Sequence, residues 1–285
     1  MLEASSTYEG FGARIATSIA IAPGVLAHLV TREGLVVDTR ALASMRVSMD
    51  VVTLYALLEG RAEVEGGGVH DAPVAVLLRE DELDLRARDA RWLRVTGARS
   101  VSLELRIASA WLRRPAGLDA GPLSLSPRTI ATARALSHGA LAPLSDLLAS
   151  LEEDGVVEGA ARASLDVALP ASLTRTWSLL AKAYAGQSTG IDHVRLAGLA
   201  TFSPRTLQRD LETLMAWGRL DGFRGTVRCM RLRRAAVLLS ARDATVREVA
   251  RVVGYGSEDA LGRAFRDAGL PSPSEVRTLT RVSVR

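Results

Sequence analysis

The chain has 285 residues, of which 48% are hydrophobic and 24% are charged. This composition is typical of a globular protein and excludes disorder throughout the chain, and the length favours two domains over one. The single cysteine, Cys229, excludes an internal disulfide and any metal cluster that needs several cysteines.

The two parts of the chain differ in charge. Residues 191–285 contain 17 basic and 10 acidic residues, a balance of +7, whereas residues 1–190 contain 19 basic and 22 acidic residues, a balance of −3. A basic module joined to an acidic one is common in proteins that bind nucleic acid. The most apolar early stretch, residues 15–30, is too short and too interrupted for a membrane span. With no targeting segment in view, we expect a cytoplasmic protein that does not enter a membrane.

Alternating apolar and polar residues predict strands in the first part of the chain. In residues 100–107 every second residue is apolar, which predicts a strand with one buried face. The apolar members of that face are Val101, Leu103, Leu105 and Ile107. Residues 81–88 alternate similarly, and the apolar run 51–58 predicts a strand covered on both sides. Short strands separated by turns indicate a β sandwich or a small barrel.

The pattern becomes helical after the Gly-, Pro- and Ser-rich boundary at residues 115–127. Pro143 is expected in the first turn of a helix whose apolar face holds a leucine stripe. The stripe consists of Leu144, Leu147, Leu148 and Leu151. It fits either a dimer seam or packing against the chain's own sheet. A second helix is predicted over residues 170–184, and residues 185–190 are predicted to be a flexible linker.

Two stretches of the last third share one design, in which a short helix, a tight turn and a second, capped helix follow each other. In the first stretch Ser203 is the expected N-cap, and Pro204 follows at the first helical position. In the second stretch Thr245 caps one helix, the turn 254–256 follows, and Ser257 caps the next helix. This is the plan of the helix-turn-helix, whose second helix enters the major groove of DNA. A connecting helix is predicted over residues 226–239 between the two units.

These segments resemble the C-terminal part of the AraC/XylS family of bacterial transcription regulators. The resemblance covers about residues 190–280 and is carried by residues 196–209, 249–255, 263–266 and 272–277. It implies that both second helices face adjacent major grooves. The DNA-binding residues it implies are Ser203, Arg205, Thr206, Gln208 and Arg209 in the first unit, and Ser257, Glu258, Asp259, Gly262 and Arg263 in the second.

Some positions depart from the pattern of the family. Thr201 stands where a turn glycine is usual, which predicts an altered turn because a β-branched residue is poorly suited to a positive φ. Leu261 replaces a usual Phe and Val276 a usual Tyr, which we interpret as smaller core residues. Glu258 and Asp259 place negative charge at the tip of the second unit, so we expect the first unit to dominate specificity.

The N-terminal region resembles the cupin-like effector domain that many members of this family carry. The likeness rests on the strand pattern and on residues 57–64. His28 and His70 are the only histidines in this region, so we expect no metal and no other cofactor. An ordinary surface or core position is the expected role of each histidine.

Three further features of the sequence each have a second interpretation. Residues 186–190 match G-x-S-x-G, but the nucleophile elbow around a serine such as Ser188 needs a preceding strand. Cys229 lies in the predicted connecting helix, where a small buried residue is expected. The less favoured alternative is a DNA-alkyl-repair enzyme or a hydrolase that uses Cys229 or Ser188 as its nucleophile. Four arginines of the connecting helix fit either a solvated face or a phosphate clamp. They are Arg224, Arg228, Arg231 and Arg234.

The sequence therefore predicts an α+β multidomain regulator rather than an enzyme. Residues 1–120 form a cupin-like effector or dimerisation domain, residues 121–190 a helical connector and linker, and residues 191–285 an all-α DNA-binding domain with two helix-turn-helix units. The expected partners are double-stranded DNA, a small-molecule effector, a second copy in a homodimer and RNA polymerase. The alternative hypothesis is a regulator that binds no small molecule and whose N-terminal domain only dimerises or binds a protein partner.

Overall fold

The computed structural model describes residues 1–42, 51–64, 68–79, 93–117, 122–185, 193–200, 202–220 and 222–281. Its first part is an antiparallel sheet. The strands are β1 (Leu2–Gly10), β2 (Ala13–Ala22), β3 (Val25–Glu33), β4 (Val37–Asp38), β5 (Val51–Val64), β6 (Gly68–Asp71), β7 (Val74–Arg79) and β8 (Leu93–Ala108). The strand predicted over residues 81–88 lies outside the described residues.

The sheet is built around its two longest strands. Its order is β1-β2-β3-β8-β5-β6, with β4 paired to β8 and β7 paired to β5. Every pairing is antiparallel, and hairpins join several successive strands. In such a pairing, two residues that lie directly opposite each other point to the same face of the sheet. The pairs His28–Glu104 and Glu104–Tyr55 therefore place three polar side chains in one row across three strands.

The odd-numbered residues of β8 face the main core, as the alternation predicts. Leu103, Leu105 and Ile107 are buried there, together with the even-numbered Leu54 of β5. The opposite face of the same strands is not exposed to solvent either, because Ser102 and Arg106 are also buried. Both faces of the sheet are thus covered, and the second face is covered by helices from the last third of the chain.

Four helices follow the sheet: α1 (Pro127–Ala135), α2 (Leu144–Glu153), α3 (Gly159–Ala163) and α4 (Ala171–Ala185). The leucine stripe of α2 is fully buried in the core cluster that includes the sheet. Packing against the chain's own sheet is therefore confirmed, and the dimer seam is wrong. Pro143 is the N-cap of α2, one position before the first turn in which it was expected.

The last third of the chain is helical throughout its described residues. Its helices are α5 (His193–Leu199), α6 (Pro204–Trp217), α7 (Phe223–Leu239), α8 (Val246–Val252), α9 (Glu258–Asp267) and α10 (Pro273–Arg281). The connecting helix α7 is longer than predicted and starts three residues earlier. The predicted linker lies mostly outside the described residues, and the domain limits at residues 120 and 190 stay predictions.

Candidate DNA-binding helices and a cavity beside the sheet

The first helix-turn-helix has the local geometry that its sequence predicts. Ser203 accepts a hydrogen bond from the backbone N–H of Thr206 at 3.2 Å, and Pro204 occupies the first turn of α6. Leu207, Leu211 and Leu214 form the buried stripe of α6. The cap satisfies one of the first N–H groups of the helix, and the leucines fix which side of α6 faces outward. Thr201, where the sequence predicts an altered turn, lies outside the described residues.

The outward side of α6 carries the predicted reading residues. Arg205, Gln208 and Arg209 are exposed, and Thr206 is half-buried. Gln208 donates to Glu212 at 2.6 Å, and Arg209 donates to Asp210 at 3.4 Å. An exposed surface of arginine and glutamine side chains is suited to the edges of guanine and adenine.

A buried carboxylate ties α6 to α4. Asp210 has an exposed fraction of 2% and accepts hydrogen bonds from Thr176 Oγ1 at 2.9 Å and from Ser172 Oγ at 3.3 Å. These bonds fix the rotation of α6, because they hold its inner face at one position on α4. Asp210 is not among the residues predicted from the sequence, although a polar residue next to the apolar stripe of α6 is a visible signal.

The second helix-turn-helix is capped in the same way. Thr245 accepts from the N–H of Glu248 at 3.2 Å, and Ser257 accepts from the N–H of Ala260 at 3.1 Å. Leu261 and Phe265 of α9 are completely buried. Both predicted caps and the predicted inner face of α9 are therefore confirmed, and the smaller core residue at position 261 fills the core.

The predicted reading positions of α9 are exposed at Glu258, Asp259 and Arg263, whereas Gly262 is half-buried. Arg247 of α8 lies 3.3 Å from the Glu258 carboxylate. This contact offsets part of the negative charge at the tip of α9, a compensation that the sequence analysis did not foresee.

The arginines of α7 divide between two environments. Arg224 and Arg228 are exposed, and Arg228 lies 3.4 Å from Asp267 of α9. Arg231 and Arg234 instead line a partly open cavity, where Arg234 lies over the Tyr8 ring at 5.0 Å from its centroid. Neither a solvated face nor a phosphate clamp describes all four residues. Cys229 is buried in α7, as expected for a small core residue.

The cavity has a volume of about 360 Å³ and lies between the second face of the sheet and the helices of the last third. Strands β1, β2, β3, β5 and β8 supply one wall, and α4, α6 and α7 supply the other. Apolar side chains dominate both walls, among them Ile19, Leu26, Val30, Leu180, Met215 and Val227. A concave, mostly apolar site with a few polar groups is the usual form of a small-molecule pocket.

Several polar side chains of this cavity form one group, here named the Glu104 cluster. It consists of His28, Arg32, Tyr55, Glu104, Arg106 and Arg233. Arg233 of α7 reaches the Glu104 carboxylate at 3.3 Å, and His28 Nδ1 lies 4.0 Å from it. Arg32 is buried and donates to Ser102 at 2.8 Å. The cluster therefore joins strands β3, β5 and β8 to the connecting helix.

Burial and charge oppose each other in this cluster. Burial acts to raise the pKa of Glu104, but attraction to Arg233 and the contact with His28 outweigh it, so that its pKa is well below the usual value. Burial lowers the pKa of Arg32, partly offset by the nearby Tyr55 and Glu104. Burial also raises the pKa of Tyr55. Glu104 is thus a carboxylate, held as such by its cationic neighbours.

This site was not predicted from the sequence. His28, for which an ordinary position is expected, lines the cavity together with Arg32 of the same strand. A signal was present, since His28 and Arg32 of β3 and Glu104 and Arg106 of β8 fall on the face of each strand opposite to its core-facing leucines. A strand that is polar on one face is more often half exposed, and only the packing of the helices shows that they cover this face.

The second helix-turn-helix docks directly on the sheet domain. Arg94 of β8 is buried and donates to the carbonyl oxygens of Leu279 at 3.0 Å and Thr280 at 3.4 Å, near the end of α10. The backbone N–H of Val36 donates to Ser240 Oγ at 3.0 Å. These contacts attach the second unit to the sheet, whereas Asp210 attaches the first unit to α4. The cavity lies beneath α7, the helix that joins the two units.

Two other kinds of site are absent from the described residues. No helix among them is both long and apolar enough to cross a bilayer. Nor do three or more His, Cys, Asp or Glu side chains gather in this part of the chain as a metal site would require.

The chain combines an antiparallel β sheet with a helical region that carries two helix-turn-helix units. Its fold is similar to ToxT from Vibrio cholerae, with 11% identity, 90% of this chain and 98% of that chain covered and a TM-score of 0.40. A ToxT structure bound to an unsaturated fatty acid matches with 14% identity over 87% of this chain and 94% of that chain, at a TM-score of 0.36.

The AraC-like transcriptional activator CuxR matches with 12% identity, 82% of this chain and 86% of that chain covered and a TM-score of 0.30. A mutant of Bacillus subtilis oxalate decarboxylase matches over 47% of this chain and 35% of its own, with 16% identity and a TM-score of 0.23. No protein-family model and no curated protein sequence matches the chain. Similarity at this level does not assign a function.

Proposed function

We propose that the chain is a sequence-specific DNA-binding transcription regulator whose activity is set by a small molecule. The observation that carries the proposal is the pair of capped helices α6 and α9, each the second helix of a helix-turn-helix. Each places its apolar residues inward and most of its polar residues outward, Asp210 of α6 being buried. A recognition helix needs this division, because it must pack on its own domain while its other side enters the groove.

The outward residues of α6 favour DNA over an acidic protein partner. Arg205 and Arg209 provide donors for guanine and phosphate, and Gln208 provides the amide that pairs with adenine. The balance of +7 in residues 191–285 supports the same partner, because arginine contacts to phosphates release condensed counterions. Since Glu258 and Asp259 remain at the tip of α9, we assign most of the base discrimination to α6.

A binding titration on a selected DNA site tests this proposal. The site is first enriched from a random duplex library with the wild-type chain. Arg209→Ala and Gln208→Ala are each expected to weaken binding by ~1–3 kcal/mol and to relax the base preference at one position. The control, Arg134→Ala, removes the same charge from an exposed position of α1 and keeps wild-type affinity. Wild-type affinity in both α6 variants, or selection of no site at all, contradicts the proposal.

The effector is assigned to the cavity between the sheet and α7. A site there takes part of its wall from the helical region, so it does not lie within the N-terminal domain alone. A ligand that binds the folded chain raises its melting temperature by mass action. We therefore expect a metabolite to raise the melting temperature and to change the affinity for the selected DNA site. A homodimer, contact with RNA polymerase and a cytoplasmic location belong to the same proposal.

A further inference from the structure

Two exposed polar side chains of α6, Gln208 and Glu212, contact each other. Nε2 of Gln208 donates a hydrogen bond to Oε1 of Glu212 at 2.6 Å. The two residues are four positions apart, so they lie on the same outward face of the helix. Gln208 is a candidate reading residue, whereas Glu212 is not among the residues predicted from the sequence. A carboxylate on this face repels phosphates, so its place beside a reading residue points to a role other than affinity.

The carboxylate of Glu212 determines which way the amide of Gln208 points. A carboxylate only accepts hydrogen bonds, so the amide turns its NH₂ group toward Glu212 and its oxygen away. This contact uses one of the N–H donors of the amide. Within the part of the chain that the structure describes, Oε1 of Gln208 accepts no hydrogen bond. The amide therefore keeps one N–H donor and one acceptor oxygen for a base.

The donor and the acceptor that remain on Gln208 match adenine. In the major groove adenine presents the N7 acceptor and the N6 amino donor, whereas guanine presents two acceptors, N7 and O6. One donor beside one acceptor completes both hydrogen bonds to adenine but leaves an acceptor of guanine without a donor, which is costly in a desolvated interface. An unrestrained glutamine amide is less selective, because it can turn over and offer both of its N–H groups.

Arg209, the next reading residue, is not restricted in this way. It donates from Nη2 to Asp210 at 3.4 Å, but a guanidinium has several N–H donors, so enough remain for the two acceptors of guanine. The contact with a neighbouring carboxylate therefore changes what Gln208 can read and leaves what Arg209 can read unchanged.

We infer that Glu212 is a positioning residue that makes Gln208 selective for adenine over guanine. Glu212 acts through the amide and does not itself read a base. The inference deepens the proposed function and rests on it, because it requires that the outward face of α6 enters the major groove. It adds that the DNA site contains an adenine at the position that Gln208 reads.

Base preference at a single position tests the inference on the full chain. The position is the one at which Gln208→Ala relaxes the selected site, and duplexes with adenine or guanine there are titrated in parallel. The wild-type chain is expected to favour adenine by ~10-fold or more, as is typical of a bidentate pair. In Glu212→Ala this ratio is expected to fall to ~3-fold or less, because the amide is free to turn. A wild-type preference for guanine overturns the inference.

The ratio of the two affinities is the measurement, because Glu212→Ala also removes a negative charge and strengthens binding to both duplexes. Glu212→Gln removes the same charge but keeps an oxygen that accepts from Gln208, so it is expected to keep most of the adenine preference. Glu153→Ala, which removes an exposed carboxylate from α2, is the control and keeps the wild-type ratio. Equal loss of the preference in Glu212→Gln and Glu212→Ala assigns the effect to charge and overturns the inference.

The double variant Gln208→Ala/Glu212→Ala separates positioning from direct reading. If Glu212 acts through the amide, its removal no longer changes the ratio once Gln208 is absent. A ratio that differs between this double variant and Gln208→Ala shows that Glu212 reads the base itself, and it overturns the inference. The preference for guanine at the position that Arg209 reads is expected to stay at the wild-type value in Glu212→Ala.

The same titrations distinguish failure of the inference from failure of the proposed function. Selection of no site, or wild-type affinity in both Gln208→Ala and Arg209→Ala, contradicts the proposed function. A site that Gln208→Ala relaxes, with the same ratio in Glu212→Ala as in wild type, leaves the proposed function intact and overturns the inference. A site that only Arg209→Ala weakens also overturns it, since Gln208 then reads no base.

Discussion

Thr176 donates a 2.9 Å hydrogen bond to the buried carboxylate of Asp210, so that α4 and the candidate recognition helix α6 are joined by a polar contact inside an apolar interface. A hydrogen bond to a charged group contributes ~1.5–3 kcal/mol, more than a neutral pair, and its loss leaves a carboxylate buried. The contact also has a direction. It holds α6 at one rotation, with its exposed arginine and glutamine side chains turned away from α4.

Thr176→Val removes this donor while it keeps the shape of the side chain. We expect the free energy of unfolding to fall by ~1–3 kcal/mol and affinity for the selected DNA site to fall as well, because the rotation of α6 is less restrained. Chemical denaturation and a DNA titration measure the two effects. Thr174→Val, at an exposed position of the same helix, is the control and leaves both unchanged. Unchanged stability in Thr176→Val would show that Ser172 alone holds Asp210.

The local features of the last third could be predicted from the sequence because they are set by neighbouring residues. A serine followed by a proline at the first helical position signals the start of α6 within four residues of chain. The leucine stripe of α6 signals its buried side in the same way. Such patterns do not depend on the rest of the fold, and the helices agree with them.

The cavity could not be predicted, because it depends on residues far apart in the chain. Glu104 meets His28 through the register of β3 and β8, and it meets Arg233 only when α7 lies on the sheet. Alternation in β8 identifies two faces of a strand, but it does not say which face is covered by a helix 129 residues away. Asp210 was missed for a similar reason, since its partner Thr176 belongs to a separate helix.

Arg94 links the sheet to the end of α10, and its replacement tests whether this docking stabilises the second unit. Arg94→Met keeps a long apolar stem but removes two hydrogen bonds to carbonyl oxygens near the C-terminus of the helix. A cation there also interacts favourably with the helix dipole. We expect a loss of ~1–3 kcal/mol in the free energy of unfolding and faster hydrogen exchange in residues 273–281.

Arg99→Met is the matched control for this change. Arg99 is on the same strand, but it is half exposed and pairs with Glu59 at the surface, where an ion pair contributes ~0–1 kcal/mol. Exchange in α10 therefore stays at the wild-type rate in the control. If exchange in α10 also stays at that rate in Arg94→Met, the contact is not what holds the helix.

Glu104 gives the stability of the chain a pH dependence of defined sign. Its pKa in the folded state is well below the usual value despite burial, because Arg233 and His28 favour the charged form. A depressed folded-state pKa contributes stability that is fully present above the unfolded pKa, near ~4.3, and is lost as the pH falls through the folded-state pKa. Glu104→Gln is expected to cost ~1–3 kcal/mol at neutral pH, and the difference from wild type shrinks as the pH falls below ~4. Denaturation at a series of pH values measures it. Glu153→Gln, which removes an exposed carboxylate from α2, is the control and keeps the wild-type dependence of stability on pH. If Glu104→Gln lowers the free energy of unfolding by the same amount at every pH, the Glu104 carboxylate acts through packing and not through its charge.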